Sequence, residues 1–255
     1  MKKQIRIVST LIICVIVVLS AQTATSADMM QKIDKQLTNE SELGEQDSDR
    51  TLVHTLNETQ MHELTIKLRM NEYAQQMHEM AIKLRMEEVK EAEEANEKAS
   101  LVDYIDELTG LGKDTASYLI EQCEALGLDP FIILAIIRVE SNFNTYTVGA
   151  LGERGLGQLM ANTAEPVAAR LGIKHDPDRL FEPEYNILLF TTQFKYLSDF
   201  YGGDFHKTLT AYNRGQYGLE KYIASRSSHV NPEVSDYSLM IYDFASKYKY
   251  GFDNQ

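Results

Sequence analysis

From Leu52 to Ala99 the chain has neither glycine nor proline. Beyond residue 100, apolar positions recur at helical spacing between regularly placed breakers. The first stretch is rich in Glu, Lys, Met, Leu, Gln and Ala, residues that favour long helix. In the second, Asp114 or Thr115 starts a helix that ends at Gly127, and Asp129 supplies an N-cap with Pro130 at the first helical position. Asn162 with Glu165 resembles a capping box, opening a helix that stops near Gly172. Pro183 precedes the apolar stretch from Tyr185 to Tyr201, which closes at Gly202 and Gly203. Asp204 caps a helix to Asn213, Gly215 breaks it, and Pro232 separates a helix near 217–226 from a last one near 235–249. The pattern predicts an all-α domain over residues 101–255, preceded by a long N-terminal helix or coiled coil over 52–100.

That N-terminal stretch contains a repeat: QMHELTIKLRMNE at 60–72 recurs as QMHEMAIKLRMEE at 76–88. On one straight helix, a period of 16 residues, at about 100° each, leaves equivalent residues about 160° apart, on nearly opposite faces. Two readings follow. Ile66, Met70, Tyr73, Met77, Met80 and Leu84 are spaced as the a/d seam of a short coiled coil, a continuous helix for self-association or for an envelope partner. Alternatively, each repeat is one helix of an antiparallel pair turning at Asn71 to Tyr73. The continuous helix is favoured, because that turn lacks strong breakers.

The extreme N-terminus changes the expected address. Lys2, Lys3 and Arg6 precede an apolar run from Ile7 to Leu19, and small residues follow up to Ala27. Residues 1–27 therefore read as a signal peptide or membrane anchor, placing the protein in the cell envelope or outside the cell. Residues 28–51 are polar and acidic, an expected flexible tether. Cys14 falls within the leader, leaving Cys123 alone in the remainder, on the apolar side of a helix with Ala116, Leu119 and Ile120. It reads as a buried small hydrophobe.

Net charge is −13, with the leader contributing +3, residues 28–100 −8 and residues 101–255 −8. No part is basic, which argues against binding nucleic acid by counterion release. A neutral sugar chain suits this balance. His62, His78, His175, His206 and His229 lack ligand spacing, so no metal or other cofactor is expected.

Candidate chemistry concentrates after Pro130. In PFIILAIIRVES, Ile133, Ile136 and Ile137 lie one or two turns before Glu140 on the same helical face. Desolvation penalises a carboxylate and not the acid, so a glutamate among isoleucines keeps its proton near neutral pH. Such a group can protonate a leaving oxygen, the requirement of general-acid cleavage of a glycosidic bond. A glycine-punctuated stretch follows from Gly149 to Ala164.

Four blocks in order carry a resemblance: Glu140-Ser141-Asn142-Phe143, GERGLGQLMANTA from Gly152, AYNRG from Ala211, and YSLMIYDFASKY from Tyr237. Over about residues 115–250 the chain resembles soluble-type lytic transglycosylases, lysozyme-like enzymes related to goose-type lysozymes. The resemblance implies a lysozyme-like helical domain that acts on peptidoglycan glycan strands, cleaving the β-1,4 bond between N-acetylmuramic acid and N-acetylglucosamine. It implies Glu140 as acid and then base, with attack by the substrate's own C6 hydroxyl leaving a 1,6-anhydro end. Gln158, Tyr212 and Asn213 match cleft residues, and Tyr237 matches a tyrosine near the acid. Met160 offers a sugar contact or core filler. Ser141 is balanced between a substrate contact and a helix-terminal hydroxyl bonded to a carbonyl.

The departures bear on the reading. Gly157 stands where the pattern has Met, an expected change in a cleft wall. Ala161 replaces Pro, and Phe190 falls where a helix-packing Gly is common after Asn186-Ile187. Glu153 stands where transglycosylases carry a small residue, and Gly152-Glu153-Arg154-Gly155 echoes an acidic string of goose-type lysozymes. As a second carboxylate it would position water and give a hydrolase. The competing role is a loop ion pair with Arg154 or Arg138. An envelope scaffold without turnover is the third alternative.

Overall fold

The computed structural model describes residues 58–254. The expected leader or anchor at 1–27, with Cys14, and the tether at 28–51 lie outside the described residues. Among the described residues, no helix is long and apolar enough to cross a membrane.

Helix α1, Glu58–Thr109, is continuous through both repeats, so the helical-pair reading does not hold. Asn71 to Tyr73 carry no glycine or proline to interrupt the hydrogen-bond ladder. Ile66, Met70, Tyr73, Met77, Met80 and Leu84 are all exposed. The chain divides into two units, Met1–Ile82 and Lys83–Gln255, with the division inside α1.

In the second unit the last turns of α1 join the core. Ile105 is fully buried, the Tyr104 hydroxyl donates to the Tyr248 carbonyl at 2.9 Å, and Lys98 pairs with Glu124 at 2.8 Å. Helix α2, Lys113–Leu126, ends at Gly127 in the left-handed region, φ 63°. Helix α3, Pro130–Ser141, begins as expected: the Asp129 side chain accepts the Phe131 N–H at 2.8 Å, with Pro130 in the first turn. Next come α4, Ala161–Arg170, a short 3-10 helix, Pro177–Phe181, and α5, Pro183–Phe200. They are followed by α6, Phe205–Arg214, capped by Asp204, α7, Gln216–Ser225, and α8, Asp236–Asp253.

Helix α3 packs along α8 and α2 along α5, while α4 and α6 also rest on α5, and α6 reaches both α7 and α8. Ile133, Leu134, Ile136 and Ile137 of α3 and Ile187, Leu189 and Phe190 of α5 are fully buried. At about 25 cal/mol per Å² of apolar area removed from water, this packing is the main source of stability. Cys123 sits in the core, and burial pushes its thiol up to about 12, fitting an inert packing residue.

Two expected boundaries move. Asn162 is not an N-cap, because α4 already starts at Ala161 with Met160 in the capping position and no side-chain cap. Helix α8 continues past 249 through Gly251 to Asp253. There the Tyr104 hydroxyl lies 2.8 Å from where a β-carbon on Gly251 would sit, so tertiary contact favours the glycine despite its low propensity.

Candidate active site

A cleft of about 580 Å³ is lined by Glu140 at the end of α3, by the 149–160 loop, by Gln193 and Leu197 of α5, and by residues 211–216. Its making begins with the buried face of α3. Ile133, Ile136 and Ile137 are fully buried, and Glu140, one turn beyond, is only partly exposed. The helix ends because Asn142 and Phe143 both enter the left-handed region, φ 52° and 64°. Asn142 also accepts from the Arg138 guanidinium, whose planar face lies 5.6 Å from the Phe244 ring centre.

The Tyr237 hydroxyl of α8 donates to Glu140 Oε1 at 2.6 Å. Desolvation pushes the Glu140 carboxyl up to about 7; the Tyr237 hydrogen bond pulls it down, and the charge of Glu153 pushes it up. Burial, with the Glu140 charge, also raises the phenols of Tyr237 and Tyr212 well above their ordinary value, which keeps both as donors. Tyr212 of α6 uses its hydroxyl on the Gly157 carbonyl at 2.7 Å.

The loop opposite Glu140 is folded by its own backbone. Arg154 forms isolated antiparallel bridges to Val148 and Leu159, and the Gly149 N–H bonds to the Glu153 carbonyl at 2.8 Å. Gly155, φ 76°, must be glycine, since a β-carbon there would collide with the Leu180 carbonyl and the Asn186 amide. Fully buried Asn186 clamps the loop: its amide donates to the carbonyls of Leu180 at 2.8 Å and Arg154 at 3.0 Å, and its Oδ1 accepts the Gly157 N–H at 2.8 Å. Every polar atom of that side chain is thereby partnered, as a buried amide requires.

Position 157 corrects an expectation. A side chain there would point at the buried Phe190 ring, so this position faces the core and not the cleft wall. The two departures from the family pattern are therefore one exchange of bulk, in which Phe190 fills space that Gly157 leaves.

Of the predicted residues, Glu140, Glu153, Gln158, Met160, Tyr212 and Asn213 come together around the cleft. Tyr237 reaches the site through Glu140. Ser141 is buried and donates to the Ile137 carbonyl at 3.1 Å, the helix-terminal arrangement. Gln158, φ 47°, commits its Nε2 to the carbonyls of Gly155 at 2.8 Å and Thr147 at 3.0 Å. Its Oε1 lies over Gly149 beside Glu153 Oε2. The Glu153 carboxylate accepts the Leu151 N–H at 2.9 Å. The expected loop ion pair goes elsewhere: Arg154 pairs with Asp178 at 2.9 Å and lies 5.4 Å from the Phe181 ring centre.

Sequence reasoning passed over Asn186 as the loop clamp, and Thr163, Gln193 and Gln216 as lining. An asparagine inside an apolar helix was the available signal, because a buried amide needs partners.

Residues 117–233 match the family model described as Transglycosylase SLT domain. Among curated proteins, the membrane-bound lytic murein transglycosylase C of Edwardsiella ictaluri is 38% identical over 102 residues, covering 36% of this chain and 28% of that protein. The protein of the same name from Photorhabdus laumondii is 36% identical over 99 residues, 35% of this chain and 28% of that one. The chain thus spans little more than a quarter of the length of these relatives. Among solved structures, the 70 kDa soluble lytic transglycosylase of Escherichia coli is 18% identical with a TM-score of 0.49, covering 60% of this chain and 30% of that one. An inactive mutant of the lytic transglycosylase Slt of Pseudomonas aeruginosa is 21% identical with a TM-score of 0.48, covering 54% and 24%.

Proposed function

We propose that the Transglycosylase SLT domain at residues 117–233 makes this chain a peptidoglycan lytic transglycosylase with Glu140 as its catalytic residue. One observation carries the reading: a carboxyl pushed up to about 7 by burial, held at 2.6 Å by a tyrosine hydroxyl, on the wall of an open polar cleft. At neutral pH a large fraction of such a group is protonated and able to donate.

In this mechanism Glu140 protonates the glycosidic oxygen as the bond from C1 of the muramic sugar breaks. The resulting carboxylate then removes the proton from the C6 hydroxyl of the same sugar, whose oxygen bonds to C1. The acid is regenerated and a 1,6-anhydro end is left. One carboxyl serves twice because the nucleophile belongs to the substrate, and its proximity lowers the entropic cost of attack. Tyr237 steadies the carboxylate formed midway. Gln158 Oε1, Asn213 and Met160 are the proposed sugar contacts, whereas the hydrogen bond of Ser141 to the Ile137 carbonyl supports a role at the helix end.

A second reading, a muramidase, is favoured by one feature: Glu153 lines the same cleft and its charge acts on Glu140. A carboxylate there would hold the attacking water. Mass analysis of muropeptides from digested peptidoglycan separates the two. Anhydro ends support the transglycosylase; reducing ends alone overturn it in favour of hydrolysis; and unchanged peptidoglycan removes both, leaving a scaffold.

The relatives are named membrane-bound, and the basic start with its apolar run from Ile7 to Leu19 fits export to the cell envelope. The exposed seam from Ile66 to Leu84 is the proposed surface for self-association or for an envelope partner.

A further inference from the structure

The cleft accounts for Gln193 and Leu197 on α5 but not for the aromatic side chains beside them. At about 3.6 residues per turn, Tyr196 and Phe200 share a helical face with Gln193 and Leu197. Tyr196 is 37% and Phe200 60% exposed, with ring centres 6.1 Å apart. Phe200 meets Tyr201 edge-on at 5.0 Å, and Tyr201 neighbours the side chain of Gln216, itself part of the cleft lining. The rings thus adjoin the cleft lining on α5. The Arg170 guanidinium lies over the Tyr196 ring, 4.7 Å from its centre, so Phe200 offers the more open face. On α4, Arg170 follows Thr163, another lining residue, by about two turns.

The geometry points to Tyr196, Phe200 and Arg170 as a further saccharide site, taking a sugar ring of the glycan strand beyond those seated in the cleft. Exposed aromatic surface rimmed by polar groups marks a binding surface. A pyranose presents a face of C–H groups that packs on a flat ring, removing both from water. Arg170 adds N–H donors for hydroxyl, acetamido or carboxylate oxygens of that sugar. The occupant is the same strand because the ring series is continuous with the cleft through Gln193, Leu197 and Gln216. This inference rests on the reading of the cleft as a glycan site.

The test uses the full chain with Glu140→Gln, so that ligand is not consumed. Calorimetric titration with N-acetylglucosamine tetramer and octamer compares affinities. The octamer is expected to bind about tenfold more tightly, a difference of roughly 1.4 kcal/mol. Adding Tyr196→Ala with Phe200→Ala should erase that gain and leave tetramer affinity unchanged, which also reports intact folding. Phe200→Leu, which keeps apolar bulk without the flat ring, should lose most of the gain. An octamer no tighter than the tetramer, or a gain that survives the double substitution, overturns the site while the cleft reading stands. Absence of binding by either oligomer removes the cleft reading and the site with it.

Discussion

The end of α3 and the loop opposite it each present one glutamate to the same cleft, under opposite physical terms. Glu140 follows an isoleucine face, is largely desolvated, and accepts a hydrogen bond from the buried Tyr237 phenol. Glu153 sits in a glycine-rich turn and takes a backbone N–H from Leu151. The helix end is built by its own apolar residues, whereas the loop borrows its shape from α5 through Asn186 and Phe190. Environment, and not residue type, separates the two: burial raises the Glu140 carboxyl toward neutral pH, while Glu153 is held in its turn by a backbone N–H.

The largest expected effect comes from exchanging each carboxyl for its amide. Glu140→Gln should lower the rate of release of soluble muropeptides by roughly a thousandfold, the scale of a lost general acid and base. Glu153→Gln should change it by no more than about fivefold, the range of a partly exposed charge. Comparable losses in both would erase the contrast and favour the muramidase.

The loop's dependence on α5 is the next point at which the comparison can break. Gly157→Met would drive a side chain into the Phe190 ring, and overpacking of this kind costs about 1–3 kcal/mol. Phe190→Ala alone should cost about 3–5 kcal/mol through the cavity it leaves. Together the two should cost clearly less than the sum, since the methionine enters the vacated space. Urea unfolding of the four proteins of that cycle measures the coupling. Strict additivity would show that the exchange of bulk is not reciprocal.

A smaller effect concerns stability of the helix end. Burial raises the folded Glu140 carboxyl from 4.5 to about 7, so between those values the unfolded chain is the more ionised. Wild-type stability therefore falls as pH rises through this window, while Glu140→Gln has no proton to lose there. The variant should gain on the wild type from pH 4 to pH 8, by on the order of 3 kcal/mol at most. A stability difference that stays flat across that range would mean Glu140 is not desolvated in the free protein.

The same contrast explains how much the sequence disclosed. The acid was legible because its environment is local: the isoleucines that desolvate Glu140 precede it on the same helix. Caps were legible at Asp129 and Asp204 for the same reason, and Asn162 misled because the start of α4 is fixed by the loop before it. The loop was not legible. Gly157 is separated from Phe190 by a turn, α4 and the 3-10 helix, so two departures from the family pattern could not be recognised as one until their contact was seen. Arg154, expected beside Glu153, reaches Asp178 across the same fold. Long-range pairing of this kind leaves no periodicity in the chain.

The finest test of the contrast uses the alkaline limb of the pH–rate profile, which follows loss of the Glu140 proton. The two neighbours of Glu140 act with opposite sign. The Tyr237 hydroxyl stabilises the carboxylate and lowers the value at which the proton is lost; the Glu153 charge opposes ionisation and raises it. Tyr237→Phe should therefore move the limb to higher pH, and Glu153→Gln should move it to lower pH, each by less than about one unit if each neighbour contributes no more than roughly 1.4 kcal/mol. Rates measured on purified glycan strands from pH 5 to pH 9 decide the signs. Shifts in the same direction would mean that Glu153 reaches Glu140 through the shape of the loop and not through its charge, and the two regions would then be one mechanical unit instead of two electrostatic environments.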